Sequence, residues 1–349
     1  MKMSPKQLEL YNLLFKREDV VDIAIGGSAG GAKSYAICMM AVLAAVEYPG
    51  AKLLIGRKTS PALRSTTWLT MKTVLREAFG MRVDLDYTLR EFDMTVNFQN
   101  GSSIIFLALD PHGDPDLVRL GSLEIFWGFI DEAGESEALV RNTLSSRTGR
   151  SYANQKYKVN GKIILSCNPS QNFLFEEYYK PYERLGGGEY QEWEYGKTVD
   201  KQDNDIPAYR AFLRMSVYDN PFISKDYINK LKRLPDRERK RLLDGSWYYN
   251  DDASSLFTED SFRKAVTLDY PQQLTRKVDN WNERGVIKVR NGEQVRYTTE
   301  NVFAKYVGVD VADSGKDKTV VALIDNDTLV DIQPLDINKD SDLPISQLY

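Results

Sequence analysis

The chain has one histidine and two cysteines among 349 residues. With His112 alone, a Ser-His-Asp triad would have to be built on that one residue, and a histidine-built metal site has no second histidine ligand. Cys38 and Cys167, both in apolar surroundings, support neither a disulfide framework nor a cysteine-built zinc site. No apolar run approaches the roughly 20 residues that cross a bilayer. The longest, Ala36 to Val46, is short and follows a glycine-rich loop. Residues 1–9 lack the apolar stretch of a secretory leader, so a protein that is not secreted is expected. Internal repeats and low-complexity segments are also missing. What is present is 42% hydrophobic and 28% charged sequence, enough to build a sizeable core. The length exceeds what one core usually supports, so two domains are expected. Net charge is −4, unevenly spread: Asp310 to Tyr349 holds nine acids against three lysines, whereas Lys225 to Gly245 holds eight basic and four acidic residues.

Patterning predicts strands alternating with helices. Val20–Ile25 reads as a strand, Gly26–Gly31 as a glycine-rich turn, and Lys33 to about Glu47 as a helix ending before Pro49-Gly50. Lys52–Ile55 is a second strand, and Thr66–Phe79 an amphipathic helix. Thr95–Phe98 and Ser103–Leu107 flank Asn100-Gly101 as a hairpin. Ile125–Ile130 and Lys162–Ser166 are further strands. This order predicts an α/β fold with a doubly wound, mostly parallel sheet of the P-loop NTPase kind, whose ligands sit at the carboxyl ends of strands. Residues 188–250, with the basic segment Tyr227–Leu243, read as a helical lid. Residues 251–304 read as a linker with one helix and a hairpin at Asn291-Gly292. Three strands, Tyr306–Val311, Thr319–Ile324 and Leu329–Pro334, follow in 305–349.

Gly27 to Ser34, with Lys33-Ser34 last, fits the strand–loop–helix phosphate motif G-x-x-x-x-G-K-[ST], except that Ala32 stands where the second glycine belongs. Backbone N–H groups of Gly27, Ser28, Ala29, Gly30, Gly31 and Ala32, with the helix start, would face phosphates. Lys33 would contact the β- and γ-phosphates, and Ser34 would offer a hydroxyl to Mg²⁺. Alanine at position 32 is the smallest departure from glycine, tolerable if that position has φ below zero. About a hundred residues on, an apolar strand ends in Asp131-Glu132. Asp131 would hold Mg²⁺, and Glu132 would orient the attacking water, making the reaction NTP hydrolysis.

Taken in order, these marks resemble the large terminase subunit of tailed bacteriophages, an ATP-driven DNA-packaging motor. Ser4-Pro5-Lys6-Gln7 is similar to that family's adenine-reading segment, which implies a nucleotide contact for Gln7. The phosphate loop follows, then Leu54–Thr59 with Arg57, the hydrolysis motif Ile130-Asp131-Glu132-Ala133, and Ser166-Cys167-Asn168-Pro169. The last resembles the family's coupling motif and implies that Ser166 and Asn168 link hydrolysis to movement. Asp219-Asn220-Pro221 and Gly245-Ser246-Trp247 resemble marks near the end of the ATPase region. Residues 1–250 would then be the packaging ATPase. Val309–Ala312 with Asp317-Lys318-Thr319 looks like the opening of an RNase H-like nuclease, in which Asp310 would be a catalytic, Mg²⁺- or Mn²⁺-binding acid.

The phosphate loop carries no arginine, so a transition-state arginine must come from elsewhere. Arg119 is the first candidate, acting on a neighbouring subunit, followed by Arg147 and Arg57. The resemblance further implies double-stranded DNA, portal protein and small terminase subunit as partners. It implies a homo-oligomeric ring on the procapsid in the host cytoplasm, with no membrane. Only Asp310 of the nuclease acids falls in place, and Asp313, Asp317 and Asp325 read as solvated acids. The chain is therefore expected to be truncated at its carboxyl end, and to hydrolyse ATP without cutting DNA. A helicase-like P-loop ATPase and a nucleotide-binding relic are the alternatives.

Overall fold

A computed structural model describes residues 3–114 and 117–249, and beyond them the backbone of six short strands. The chain divides into two compact units, Met1–Asn250 and Asp251–Tyr349.

The first unit is built on nine strands: β1 (Val20–Gly26), β2 (Lys52–Arg57), β3 (Tyr87–Arg90), β4 (Thr95–Phe98), β5 (Ser103–Ala108), β6 (Trp127–Ile130), β7 (Lys162–Cys167), β8 (Tyr190–Val199) and β9 (Asp205–Arg214). They form one sheet in the order β3-β4-β5-β2-β6-β7-β1-β9-β8. The six central strands, β5 to β9 in that order, run parallel, and antiparallel hairpins β3-β4 and β8 close the two edges. The Asn100-Gly101 hairpin joins β4 and β5, with Asn97 opposite Ser103. Central strands are covered on both faces, so neighbouring residues feed opposite cores. Ile23 and Ile25 pack with one cluster and Ala24 with the other, and Leu53, Ile55 and Leu54 divide the same way.

The helices are α1 (Pro5–Phe15), α2 (Lys33–Glu47), α3 (Ser60–Ser65), α4 (Thr67–Thr73), α5 (Val118–Gly121), α6 (Ala138–Ser145), α7 (Tyr152–Tyr157), α8 (Lys180–Arg184), α9 (Lys225–Lys232) and α10 (Asp236–Leu242). The helix expected over Thr66–Phe79 is present as α4 with a π-wound last turn. Thr66, at φ −127° and ψ −77°, separates α3 from α4, and Val74–Ala78 winds as a π-turn. Between them, α2 and α4 pack on the face that holds α1.

The reading of 188–250 as a helical lid is corrected. Residues 190–214 are the β8–β9 hairpin, and β9 lies beside β1 as a sheet strand; helix is confined to α9 and α10. The strand signal was masked by charge. Arg210 sits buried in the middle of β9, where its guanidinium Nε donates to Asp22 Oδ2 at 3.0 Å and Nη1 to Glu177 at 3.1 Å. A charge in a covered strand is tolerated when it is paired and hydrogen-bonded in this way.

In the second unit, β10 (Thr275–Arg276), β11 (Val286–Lys288) and β12 (Gln294–Tyr297) form an antiparallel sheet in the order β10-β12-β11. A separate antiparallel meander joins β13 (Lys305–Asp310), β14 (Thr319–Asp325) and β15 (Thr328–Leu335). The remainder of the expected 251–304 linker lies outside the described residues, as do Asp313 and Asp317.

Candidate active site

The carboxyl ends of β1, β6 and β7 converge on one cleft of about 970 Å³. Its lining includes Ser4, Lys6 and Gln7 of the first helix, Ala29 to Tyr35, Glu132, Asn168, and Asp219 to Phe222. Gly26 ends β1, and the loop that follows is pinned from behind by the segment after β9. Met215 N donates to Gly26 O at 2.8 Å, and Val217 N to Ser28 Oγ at 2.5 Å. Gly27 is required here, because a Cβ on it would lie 2.0 Å from Met215 O. Ala29 N donates to Leu242 O at 2.8 Å, and Asn220 Nδ2 to Gly30 O at 2.8 Å. Gly27 and Ser28 therefore shape the loop from its packed side, while Ala29 to Ser34 face the cleft.

Ala32 does not have the negative φ at which alanine is unstrained. Its φ is +60°, in the left-handed region, where glycine would be unstrained. The methyl group costs about 1–2 kcal/mol there. The loop's anchors and α2 hold it in place, an arrangement typical of sites where geometry outranks local comfort. Glu132 is likewise left-handed, at φ 51° and ψ 50°.

Lys33 is 6% exposed. Its Nζ donates to Ser28 O at 2.6 Å and to Asn168 Oδ1 at 3.0 Å, with Gly27 O at 3.5 Å. Burial pushes its ammonium pKa down, and the charges of Glu132 and Asp131 work against that shift. Asn168 turns its other end to Glu132, with Nδ2 donating to Oε2 at 3.1 Å. One amide thus spans the cation expected at the phosphates and the carboxylate expected at the water. Burial, then the neighbouring Asp131, raises the Glu132 pKa.

Asp131 is buried beneath the cleft, 1% exposed. Ser34 Oγ donates to its Oδ1 at 2.8 Å and Ser166 Oγ to the same oxygen at 2.6 Å. Ser166 Oγ also accepts from Glu132 N at 3.2 Å, so it joins the two acids. Among the described residues no group of three or more histidine, cysteine or acidic side chains is placed to hold a metal. The donor set present, a serine hydroxyl and a carboxylate 2.8 Å apart, is all oxygen. It suits Mg²⁺, which keeps most of its waters and takes a few protein ligands alongside substrate phosphates.

Gln7 borders the cleft, and its Oε1 accepts from Ser4 N at 2.9 Å in a capping box. Arg57 is not brought to the cleft. Its guanidinium pairs with Glu135, at 3.3 and 3.0 Å, and donates to Thr66 Oγ1 at 2.7 Å. A nucleotide contact from Arg57 is therefore not part of this arrangement. Arg119 also lies away from the cleft lining, its side chain 68% exposed and only 3.8 Å from Asp114. Arg147 is inward, its Nε enclosed without a hydrogen-bond partner. Asp310 is the last residue of β13, opposite Val320. Asp325 pairs with Lys305 at the other end of that strand pair, about 17 Å away at ordinary strand rise. Sequence reading missed Thr67, whose Oγ1 donates to Asp131 Oδ2 at 2.7 Å. Nothing in an amphipathic helix pattern marks it. The cleft-lining role of Asp219–Phe222 was signalled only as a mark of the resemblance.

A family model described as phage terminase large subunit matches residues 20–243. No curated protein sequence matches. Among solved structures, the fold is similar to the large terminase of a thermophilic bacteriophage in complex with ADP, at 16% identity and TM-score 0.50. That match covers 92% of this chain and 64% of the other, so this chain spans less than two thirds of its length. Another crystal form of the same terminase aligns with TM-score 0.51 at 15% identity, covering 93% and 65%. The HK97 bacteriophage large terminase aligns with TM-score 0.50 at 11% identity, covering 96% of this chain and 63% of that one. With the family model spanning residues 20–243, and the phosphate loop and the paired acids on a mostly parallel sheet within that span, the chain belongs to the phage terminase large subunit family.

Proposed function

We propose that this chain hydrolyses ATP and uses the cycle to move double-stranded DNA into a procapsid. The observation that carries the ATPase reading is the Lys33–Asn168–Glu132 bridge at the mouth of the phosphate loop. Lys33 now lies on loop carbonyls and would exchange them for phosphate oxygens. Glu132, buried beside a second acid, would orient water for attack on the γ-phosphate. Mg²⁺ held at Ser34 and Asp131 would supply charge neutralisation at the phosphates. Asn168 touches both groups, so arrival of a phosphate at Lys33 must alter its bond to Glu132. That supports a coupling role for Ser166 and Asn168. Gln7, in the cleft lining, would meet the base. Arg119, exposed and clear of its own cleft, fits action on a neighbouring subunit in a ring. The portal protein, the small terminase subunit and the host cytoplasm follow from family membership in the same way.

The test is ATP turnover by the purified chain with and without Mg²⁺ and double-stranded DNA. Mg²⁺-dependent hydrolysis that DNA stimulates is expected. Nucleotide binding without turnover under all conditions would favour the relic reading instead.

A further inference from the structure

We propose that Thr67 is a positioning residue for the Asp131 carboxylate. It fixes the orientation that a nucleotide-bound divalent cation needs. The inference rests on the ATPase reading above and assigns a part of that site to a helix outside the motifs.

The threonines around it show why its hydrogen bond is unusual. In a helix a threonine hydroxyl commonly bonds the carbonyl four residues back. Thr66 does so to Ala62 O at 2.7 Å, Thr70 to Thr66 O at 3.2 Å, and Thr73 to Leu69 O at 3.2 Å. Thr67 departs from this habit. It is fully buried, and its hydroxyl reaches across to β6 to meet Asp131 Oδ2 at 2.7 Å. The break at Thr66 makes this reach available, because α4 restarts there with Thr67 as its first residue. The backbone is held as well: Thr67 O accepts from Cys38 Sγ on α2 at 3.8 Å. Thr66 Oγ1, next in the chain, takes a hydrogen from Arg57 at 2.7 Å.

Three hydroxyls therefore converge on one carboxyl group, with Ser34 and Ser166 on Oδ1 and Thr67 on Oδ2. Ser34 is the hydroxyl that would turn to hold the cation. Asp131 would then keep Ser166 on one oxygen and Thr67 on the other. Two anchors on different oxygens fix the plane of the carboxylate; Ser166 alone would leave it free to rotate about its Cβ–Cγ bond. Such outer partners of a metal-binding group commonly set affinity by about 10- to 100-fold.

The test compares Thr67→Val, which keeps the shape and removes the donor, with Thr67→Ser, which keeps the donor, and Thr67→Ala, which has neither hydroxyl nor shape. ADP binding is measured by calorimetry in EDTA and in Mg²⁺, and ATP turnover is followed against Mg²⁺ concentration. For Thr67→Val, affinity in EDTA should match the unaltered chain, while the gain conferred by Mg²⁺ falls, and half-saturating Mg²⁺ rises, by roughly tenfold or more. Thr67→Ser should restore both. An unchanged Mg²⁺ dependence in Thr67→Val overturns the proposal. So does an equal loss in EDTA and Mg²⁺, which marks a purely structural hydroxyl. Should the valine variant fail to fold, the serine and alanine variants make the same comparison. Absence of turnover in the unaltered chain would count against the ATPase reading, whereas the ADP titrations would still decide the role of Thr67.

Discussion

Two buried lysines lie at opposite ends of the same sheet. Lys33 follows the carboxyl end of β1; Lys162 starts β7. Both point their ammonium groups at backbone carbonyls. Lys162 Nζ donates to Leu13 O at 3.2 Å, to Val20 O at 2.7 Å and to Arg17 O, and lies 5.9 Å from the Trp127 ring centre. It ties the end of α1 to the start of β1, is 2% exposed, and is not in the lining of the cleft. Lys33 rests on carbonyls of a strained loop at the floor of an open cleft, with an amide to share. Burial depresses both pKa values, that of Lys162 to about 7. The difference lies in what can replace their partners. A phosphate can displace the carbonyls at Lys33, whereas nothing can reach those at Lys162. The same residue type in the same chemical setting is a ligand site at one end and a clamp at the other.

The sharpest separation should come at the ligand end. Glu132→Gln keeps shape and loses the charge that orients water, so turnover should fall by about a thousandfold or more while ATP still binds. Near-normal turnover would mean another group activates the water. Lys33→Ala should also abolish hydrolysis but weaken ATP binding too, with a stability loss smaller than that of the clamp variant, since water in the cleft can reach the groups it frees. A fall in melting temperature as large as that of the clamp variant would erase the distinction between the two lysines. For the clamp, Lys162→Met should cost about 3 kcal/mol of stability by leaving buried carbonyls unpaired, read by denaturant unfolding. KM for ATP should hold.

The pH dependence of that cost has a definite sign. The folded pKa of Lys162, about 7, lies below the ordinary lysine value of 10.5, so the unfolded chain binds the extra proton between those limits. The unaltered protein should therefore gain stability relative to Lys162→Met as pH climbs through that window. At the other end, the raised Glu132 pKa should place the acid limb of kcat/KM, which reports the free protein, above the usual glutamate value of 4.5, since turnover needs the ionised form. The smallest effect is expected at the coupling position. Asn168→Ala should leave nucleotide affinity within about twofold and depress DNA-stimulated turnover by roughly tenfold. An equal fall in affinity would make Asn168 a plain binding residue.

Much of this was legible before any coordinates. The phosphate loop, the paired acids and Ser166–Asn168 announce themselves because backbone approach to phosphate demands glycine and small residues between a strand and a helix. Apolar strand runs pointed to the sheet class for a similar reason, since strands covered on both faces cannot alternate. One reading failed where charge misled. Arg210 disguised a central strand because its counter-ion, Asp22, lies 188 residues away in sequence. Ala32 does not meet the condition of negative φ under which alanine sits without strain, and the anchors from Met215 to Leu242 override that local preference.

The sequence by itself determined which groups are proposed to do the chemistry, because Lys33, Ser34, Asp131 and Glu132 fall in a motif pattern next to recognisable strand ends. Tertiary structure alone decided which side chains serve them. Asn168 meets Lys33 across 135 positions and Thr67 meets Asp131 across 64. Such pairs carry no local spacing rule; they exist only because β6, β7, α2 and α4 pack into one sheet and its covering layer. The same packing turned Arg57 to Glu135. Covalent neighbours set what a residue can do, and the fold's long-range contacts set what it is near.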